Sequence, residues 1–272
     1  MKKLFPGMSK DDITIFASPK MMPVFAYGVK RKSAPNPTNW QFANKVVCKE
    51  ATRESLPSYI DLTDDFPAAY LQTCGSCTSN AVLACDAYYW HRGKPNWDPS
   101  TVFTYYNQRK MDHALKDPDE GSTIECALNA VRKFGACSSK VWPNSKPYNE
   151  KPSPEAYANG LKGHELTKYY AVKTLLQIRK ALALGYPVAM AMAFKYEWFH
   201  DGNYILSDIT KKEADDCNFG HGVVIVGYDD TKMLFKIRNS WGASWGDNGH
   251  FYISYDCMKN VIWWDDIYAV VK

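Results

Sequence analysis

The chain has 272 residues, of which 46% are hydrophobic and 23% charged, and a formal net charge of +4; these are ordinary values for a globular protein with one large core or two lobes sharing a cleft. A charge this small, without a basic repeat or stripe, gives no support to nucleic-acid binding. No apolar run approaches the ~18 residues of a membrane span.

In chain order, residues 1–55 hold ten basic against four acidic side chains. They read as a basic, proline-bearing leader or short pro-segment docking on a mildly acidic remainder. Its first residues lack the apolar core of a secretory signal, and Asn36-Pro37-Thr38 carries proline where a glycosylation acceptor forbids it. The expectation is therefore an intracellular (cytoplasmic) protein, or one packaged in a particle. A helix is expected over about Ser79 to Tyr89, with Cys77 in its first turn or cap. Asp98-Pro99 would start a second helix carrying Val102, Phe103, Tyr106 and Met111. A Ser122-to-Glu125 capping box opens a third, which Gly135 ends. Lys140 to about Gly163 is rich in Pro, Ser and Asn and reads as a crossing between lobes. Strands follow at Tyr169 to Val172, Val188 to Phe194, Val223 to Tyr228, Leu234 to Arg238 and Phe251 to Ser254, interrupted by a helix over Thr174 to Leu184.

Three motifs carry chemistry. Cys74-Gly75-Ser76-Cys77-Thr78 places a thiol at a helix start, where unpaired amides and the helix dipole favour thiolate. Gly220-His221-Gly222 precedes an unbroken aliphatic run, so its histidine stands at the mouth of a buried strand. Asn239-Ser240-Trp241-Gly242 and Trp245-Gly246 follow the Leu234-Phe235-Lys236-Ile237 strand. His91, His113, His164, His200 and His250 lack comparable context and read as surface or loop histidines. Cys74 and Cys77 also form a C-x-x-C pair, but no second such pair completes a zinc ligand set. The eight cysteines, at 48, 74, 77, 85, 126, 137, 217 and 257, are too sparse for a disulfide scaffold and read mostly as free buried thiols.

Taken together, Cys, His and Asn in this order resemble the papain-like cysteine peptidases, and the distance from Cys77 to His221 falls in that family's ~130–150 residues. The phrase GSCTSNA, in which Thr78 replaces papain's Trp, is closest to the bacterial and viral branch. The resemblance covers about residues 56–272, from Leu56-Pro57-Ser58-Tyr59-Ile60-Asp61-Leu62 onward. It implies an α+β, papain-like two-lobe fold: a helical lobe (about 56–160) whose nucleophile helix packs against an antiparallel, barrel-like sheet lobe (about 161–272). It implies that Cys77 attacks, His221 takes and returns the proton, Asn239 orients the imidazole and Trp241 shields that bond, with Trp245 as a second aromatic wall. Gln72 is the expected oxyanion donor, although it stands one residue closer to the cysteine than the family spacing; Thr78 and Asn80 are the fallback donors. Gly121-Ser122 and Gly220 would pair with an extended peptide, and Ile124 either lines an apolar pocket for the residue two before the scissile bond or is simply core. Relatives that bridge the Cys three before the nucleophile do so to a position that falls here near Asp119, so Cys74 lacks its usual partner unless Cys126 substitutes.

The function expected is hydrolysis of peptide bonds through an acyl-thioester, probing peptide or protein substrates, with inhibition by residues 1–55 in the same chain. No metal or organic cofactor is implied. An acyl transferase or transglutaminase on the same triad, or a non-catalytic peptide-binding relative, are the alternatives.

Overall fold

The computed structural model describes residues 29–30, 56–91, 97–162, 168–199 and 202–272. Cys48, His164, His200, the His91 side chain and all of the expected leader except Val29 and Lys30 lie outside the described residues.

Helix α1 (Cys77–His91) is buried from Cys77 through Tyr88. A helix enclosed on every side needs no single apolar stripe, which accounts for the mixed spacing of its apolar residues. Helix α2 (Thr101–Met111) begins two residues after the expected start: the N-cap is Ser100, whose hydroxyl accepts from Phe103 N at 3.2 Å, while the Asp98 carboxylate is taken by the Ser139 hydroxyl. Helix α3 (Ile124–Phe134) is capped by Thr123, whose hydroxyl accepts from Cys126 N at 3.1 Å, so the expected Ser122-to-Glu125 capping box does not form. Gly135 ends α3 at φ +75°, a left-handed conformation that glycine adopts at no steric cost. The proline-rich crossing contains a further helix, α4 (Pro154–Gly160), which Ser153 caps.

Among the described residues eight strands form one sheet: β1 (Tyr59–Asp61), β2 (Lys168–Ala171), β3 (Val188–Ala193), β4 (Ile205–Leu206), β5 (Gly220–Asp229), β6 (Leu234–Arg238), β7 (His250–Ser254) and β8 (Ile262–Val271). The hydrogen-bonded path runs β2-β8-β3-β5-β6-β7-β4, with β1 added against β5. All pairs are antiparallel except β4 with β7. Among the described strands the hydrogen-bonded path does not return to its start. The sequence reading lacked β1, β4 and β8.

Alternation along β3 and β5 divides two cores. Val188, Met190 and Met192 face one side with Val223 and Ile225, against Ile178 and Leu182 of α5 (Leu175–Ala183) and Val261 of α6 (Tyr255–Val261). Ala189, Ala191, Val224 and Val226 face the other, against Val82, Leu83 and Cys85 of α1 and Ile124, Leu128 and Val131 of α3. Alanines on that face let α1 approach closely. Covering both faces explains why β3 and the Val223-Val224-Ile225-Val226 run of β5 are apolar without interruption. Truncating one fully enclosed residue such as Leu83 to alanine costs ~2–5 kcal/mol.

Candidate active site

Cys77 is the first residue of α1 and is wholly buried. The helix start is tied down locally: Ser76 N donates to Cys74 O at 2.7 Å, and Asn80 Nδ2 donates to Ser76 O at 2.9 Å and to Ser76 Oγ at 3.1 Å. It rests on β5 at Gly222, where a Cβ would lie 3.0 Å from Thr78 N and 3.1 Å from Cys77 C. Glycine beside His221 thus brings the strand backbone against the helix start. Burial pushes the Cys77 thiol up to about 12, against the opposing pull of the backbone at Gly222, Thr78 and Cys77 itself.

His221 lies in β5 and Asn239 immediately after β6, and His221 Nε2 and Asn239 Oδ1 are 2.7 Å apart. The same Oδ1 accepts from Ser240 N at 2.8 Å, which identifies it as the oxygen of the amide. Nε2 therefore carries the proton, and Nδ1 is the basic nitrogen. Asn239 is fixed through its backbone as well, since its N–H donates to Gly249 O at 2.9 Å.

Two aromatic rings flank the imidazole. Trp241 lies 5.2 Å away, inclined by 31°, and Phe194 lies 5.0 Å away, inclined by 55°. Trp245 packs edge-on to Trp241 at 4.8 Å and reaches back to Phe199 and Phe251. Trp241 and Trp245 were foreseen around the His–Asn pair, whereas Phe194 was not; its one signal in the sequence was its place at the end of a predicted strand.

Gln72 is buried and held at both ends of its amide. Its Oε1 accepts from the Ser240 hydroxyl, its Nε2 donates to Cys74 O at 3.1 Å, and its backbone N donates to Ser240 O at 2.9 Å. The shortened loop therefore brings Gln72 against the residue following Asn239. The fallback donors are engaged elsewhere, Thr78 accepting from Gln108 and Asn80 donating to Ser76.

Across the cleft, Gly121 N donates to the Tyr105 hydroxyl at 3.0 Å, and the Ser122 hydroxyl donates to Asp112 Oδ2 at 2.6 Å. Ile124 is fully buried, and its N and that of Glu125 donate to the two oxygens of Asp266 at 2.8 and 3.1 Å. Gly220 is pressed on the Trp263 ring, 2.3 Å from where a Cβ would stand. Val29 and Lys30 lie between these edges: Lys30 N donates to Ser122 O at 2.9 Å and Val29 N to Gly220 O at 3.4 Å, with Val29 parallel to Ser122 and antiparallel to Gly220. Val29 belongs to the same buried apolar cluster as Ile124 and Trp263.

One reading from sequence needs correction here. His250 is neither at the surface nor in a loop: it is 3% exposed on β7 opposite Arg238, and burial, with Arg238 and Lys236 adding to it, lowers its pKa to about 4. The described cysteines agree with the expectation of buried thiols: Cys74 and Cys126 are not bridged to each other, Cys77, Cys85, Cys137, Cys217 and Cys257 are likewise outside any disulfide, and Cys126 Sγ contacts Gln108 O at 3.6 Å. Among the described residues no group of three or more His, Cys, Asp or Glu is placed to hold a metal ion, and no helix is long and apolar enough to cross a membrane.

The family model of papain family cysteine proteases matches residues 66–263. An uncharacterized peptidase C1-like protein of Acanthamoeba polyphaga mimivirus is 29% identical over 67% of this chain and 62% of its own length, and peptidase 1 of Euroglyphus maynei is 26% identical over 74% and 61%. The matched region thus spans about three-fifths of these curated relatives. Among solved structures, xylellain, a cysteine protease from Xylella fastidiosa, superposes with a TM-score of 0.77 at 27% identity, covering 94% of this chain and 100% of that one. Digestive procathepsin L 3 of Tenebrio molitor larval midgut shares the fold, with a TM-score of 0.61 at 18% identity over 81% of this chain and 72% of that one. A large-virus and a bacterial relative agree with the branch that GSCTSNA suggested. The order of cysteine, histidine and asparagine, the hydrogen bond that joins the last two, and the match over most of its length establish that the chain belongs to the papain family of cysteine proteases.

Proposed function

We propose that this chain hydrolyses peptide bonds through an acyl-thioester on Cys77, as an endopeptidase preferring an apolar residue two before the scissile bond. The observation that carries this reading is the His221–Asn239 bond of 2.7 Å, which leaves Nδ1 basic beside a helix that starts with a cysteine. His221 takes the thiol proton, and Cys77 Sγ attacks the peptide carbonyl. His221 then gives that proton to the leaving amine as the carbon–nitrogen bond breaks, and water, deprotonated by His221, releases the acid and restores the thiol. The Cys77 amide and Gln72 Nε2 would stabilise the oxyanion, each donor contributing ~3 kcal/mol. Gly121-Ser122 and Gly220 would pair with the extended substrate backbone. The enclosed Ile124, in one apolar cluster with Val29, supports the apolar preference.

Residues 1–55 act in this reading as a leader that inhibits the domain formed by 56–272, in which about 56–160 make the helical lobe and about 161–272 the sheet lobe. Support comes from Val29 and Lys30, which already occupy the carbonyls of Gly220 and Ser122. With the cleft covered, burial holds the Cys77 thiol protonated.

The test is intact mass after exposure to an epoxysuccinyl cysteine-peptidase inhibitor, with Cys77→Ala as control. A single adduct, absent from the control and faster after trimming of the leader, is expected. No adduct in either form would sink the reading. Turnover with and without an added amine, followed by product mass, distinguishes hydrolysis from acyl transfer.

A further inference from the structure

Helix α2 carries a polar stripe on its buried face. Tyr105, Gln108, Arg109 and Asp112 are spaced i, i+3, i+4 and i+7 and so share one side of the helix, and the first three are wholly buried. Gln108 Nε2 donates to Thr78 Oγ1 at 2.9 Å and to Thr123 O at 3.2 Å. The Arg109 guanidinium donates to Ala114 O at 2.6 Å, Pro118 O at 2.7 Å, Asp117 O at 2.9 Å and Gly121 O at 3.2 Å. The Asp112 carboxylate accepts from Ser122. These contacts end on the start of α1, on the loop that leads to Gly121-Ser122, or on Thr123 directly after it.

Asp119 joins the two. Its Oδ1 accepts from the Tyr105 hydroxyl at 2.5 Å, and its Oδ2 accepts from Gly75 N at 2.8 Å. The same Tyr105 oxygen accepts from Gly121 N at 3.0 Å. The approach to Gly75 is close: a Cβ there would lie 2.6 Å from Asp119 Oδ1, so any larger residue would have to displace the carboxylate. Burial, with the Asp119 carboxylate adding to it, raises the Tyr105 pKa and keeps its phenol a donor. Hydrogen bonds to a charged acceptor are the stronger kind, and here they connect two loops that belong to no common strand.

We propose that Asp119, held by Tyr105, is a positioning residue that fixes the loop before Cys77 against the Gly121-Ser122 edge, setting the separation between the reacting thiol and the backbone with which an extended peptide pairs. Its kinetic consequence rests on the peptidase reading; the clamp itself is a property of the resting chain.

The experiment combines amide hydrogen exchange of the full-length protein with kinetics after release of the leader, for Asp119→Ala and Tyr105→Phe. In Asp119→Ala, exchange at both Gly75 and Gly121 should quicken by about tenfold or more while the interior of α1 is unchanged. KM for an extended peptide should rise about tenfold with kcat within about twofold, and alkylation of Cys77 by iodoacetamide, too small to use the edge, should keep its rate. Tyr105→Phe should reproduce the rise in KM and decides the matter if Asp119→Ala does not fold. Faster exchange at one amide alone or at neither, or a fall in kcat with KM unchanged, overturns the proposal. If the unaltered protein neither turns over peptide nor is labelled, the peptidase reading fails, and exchange at the two amides still decides the clamp.

Discussion

His221 sits within a strand paired on both sides, β3 and β6 flanking β5, and Asn239 follows β6 directly; Gly75, Gly121 and Ser122 sit in loops outside every strand. The sheet half therefore fixes its share of the site with backbone ladders and stacked rings, which no single side chain controls. The helical half lacks a ladder there and uses buried polar side chains, chiefly Arg109, Tyr105, Gln108 and Asp119, to bind the loop carbonyls and amides. Substitutions on the two sides should accordingly differ in kind: chemistry on the sheet side, geometry and stability on the helical side.

The largest expected effect is on the sheet side. His221→Gln should lower peptide turnover by ~10²–10⁴-fold, measured as kcat/KM on protein from which residues 1–55 have been removed, with little change in KM. A comparable fall from a substitution in the α2 stripe would break the contrast. Next, Arg109→Met should destabilise the chain by about 3–4 kcal/mol, because the carbonyls of Ala114, Asp117, Pro118 and Gly121 lose their donor in a buried place. Urea unfolding measures this, and a change below about 1 kcal/mol would mean that water or backbone movement replaces the guanidinium.

Acid should weaken the sheet half through His250. Its folded pKa is depressed to about 4 from an ordinary 6.5, so the folded state holds it neutral while the unfolded chain protonates it. Stability from this group is complete above about 6.5 and is lost as pH falls towards about 4, on the order of 3 kcal/mol in all. Replacing it, as in His250→Gln, should flatten that part of the pH dependence of unfolding; an unchanged slope would assign the loss to other groups. The smallest effect concerns the link between the halves. Asp266→Ala removes the carboxylate from the first amides of α3 and should cost about 1 kcal/mol, read most directly as faster exchange at Ile124 and Glu125. Equal protection in the variant would show that Thr123 alone suffices as the cap.

Much of the site was legible because its motifs are local. Cys77 at a helix start, His221 at the mouth of an aliphatic strand and Asn239-Ser240-Trp241 after the next strand each follow from a few adjacent residues. Strand β6 was read at its full extent, and the bounds of β3, β5 and β7 to within a few residues, because short apolar runs bounded by polar residues or glycine leave little ambiguity. Strand β8 was missed since Asp265 and Asp266 interrupt its run; the buried Asp266 is there to receive the amides of α3, which the sequence around it cannot reveal. The third helix was given the wrong cap for the same reason. Ser122 and Glu125 have the spacing of a capping box, but Asp112 takes the serine hydroxyl and Asp266 takes the Glu125 amide.

The sequence by itself determined the family, the α+β class and which cysteine, histidine and asparagine are the candidates for catalysis, since each motif is written in contiguous residues whose chemistry is local. The tertiary structure alone decided what surrounds them: Phe194 and Trp241 about the imidazole, Gln72 against Ser240, Val29 and Lys30 between Gly220 and Ser122, and the Asp119 bridge from Gly75 to Tyr105. These partners are distant in the chain and polar in most cases. A buried polar side chain finds whichever donor or acceptor the fold presents, and no periodicity in the sequence encodes that choice.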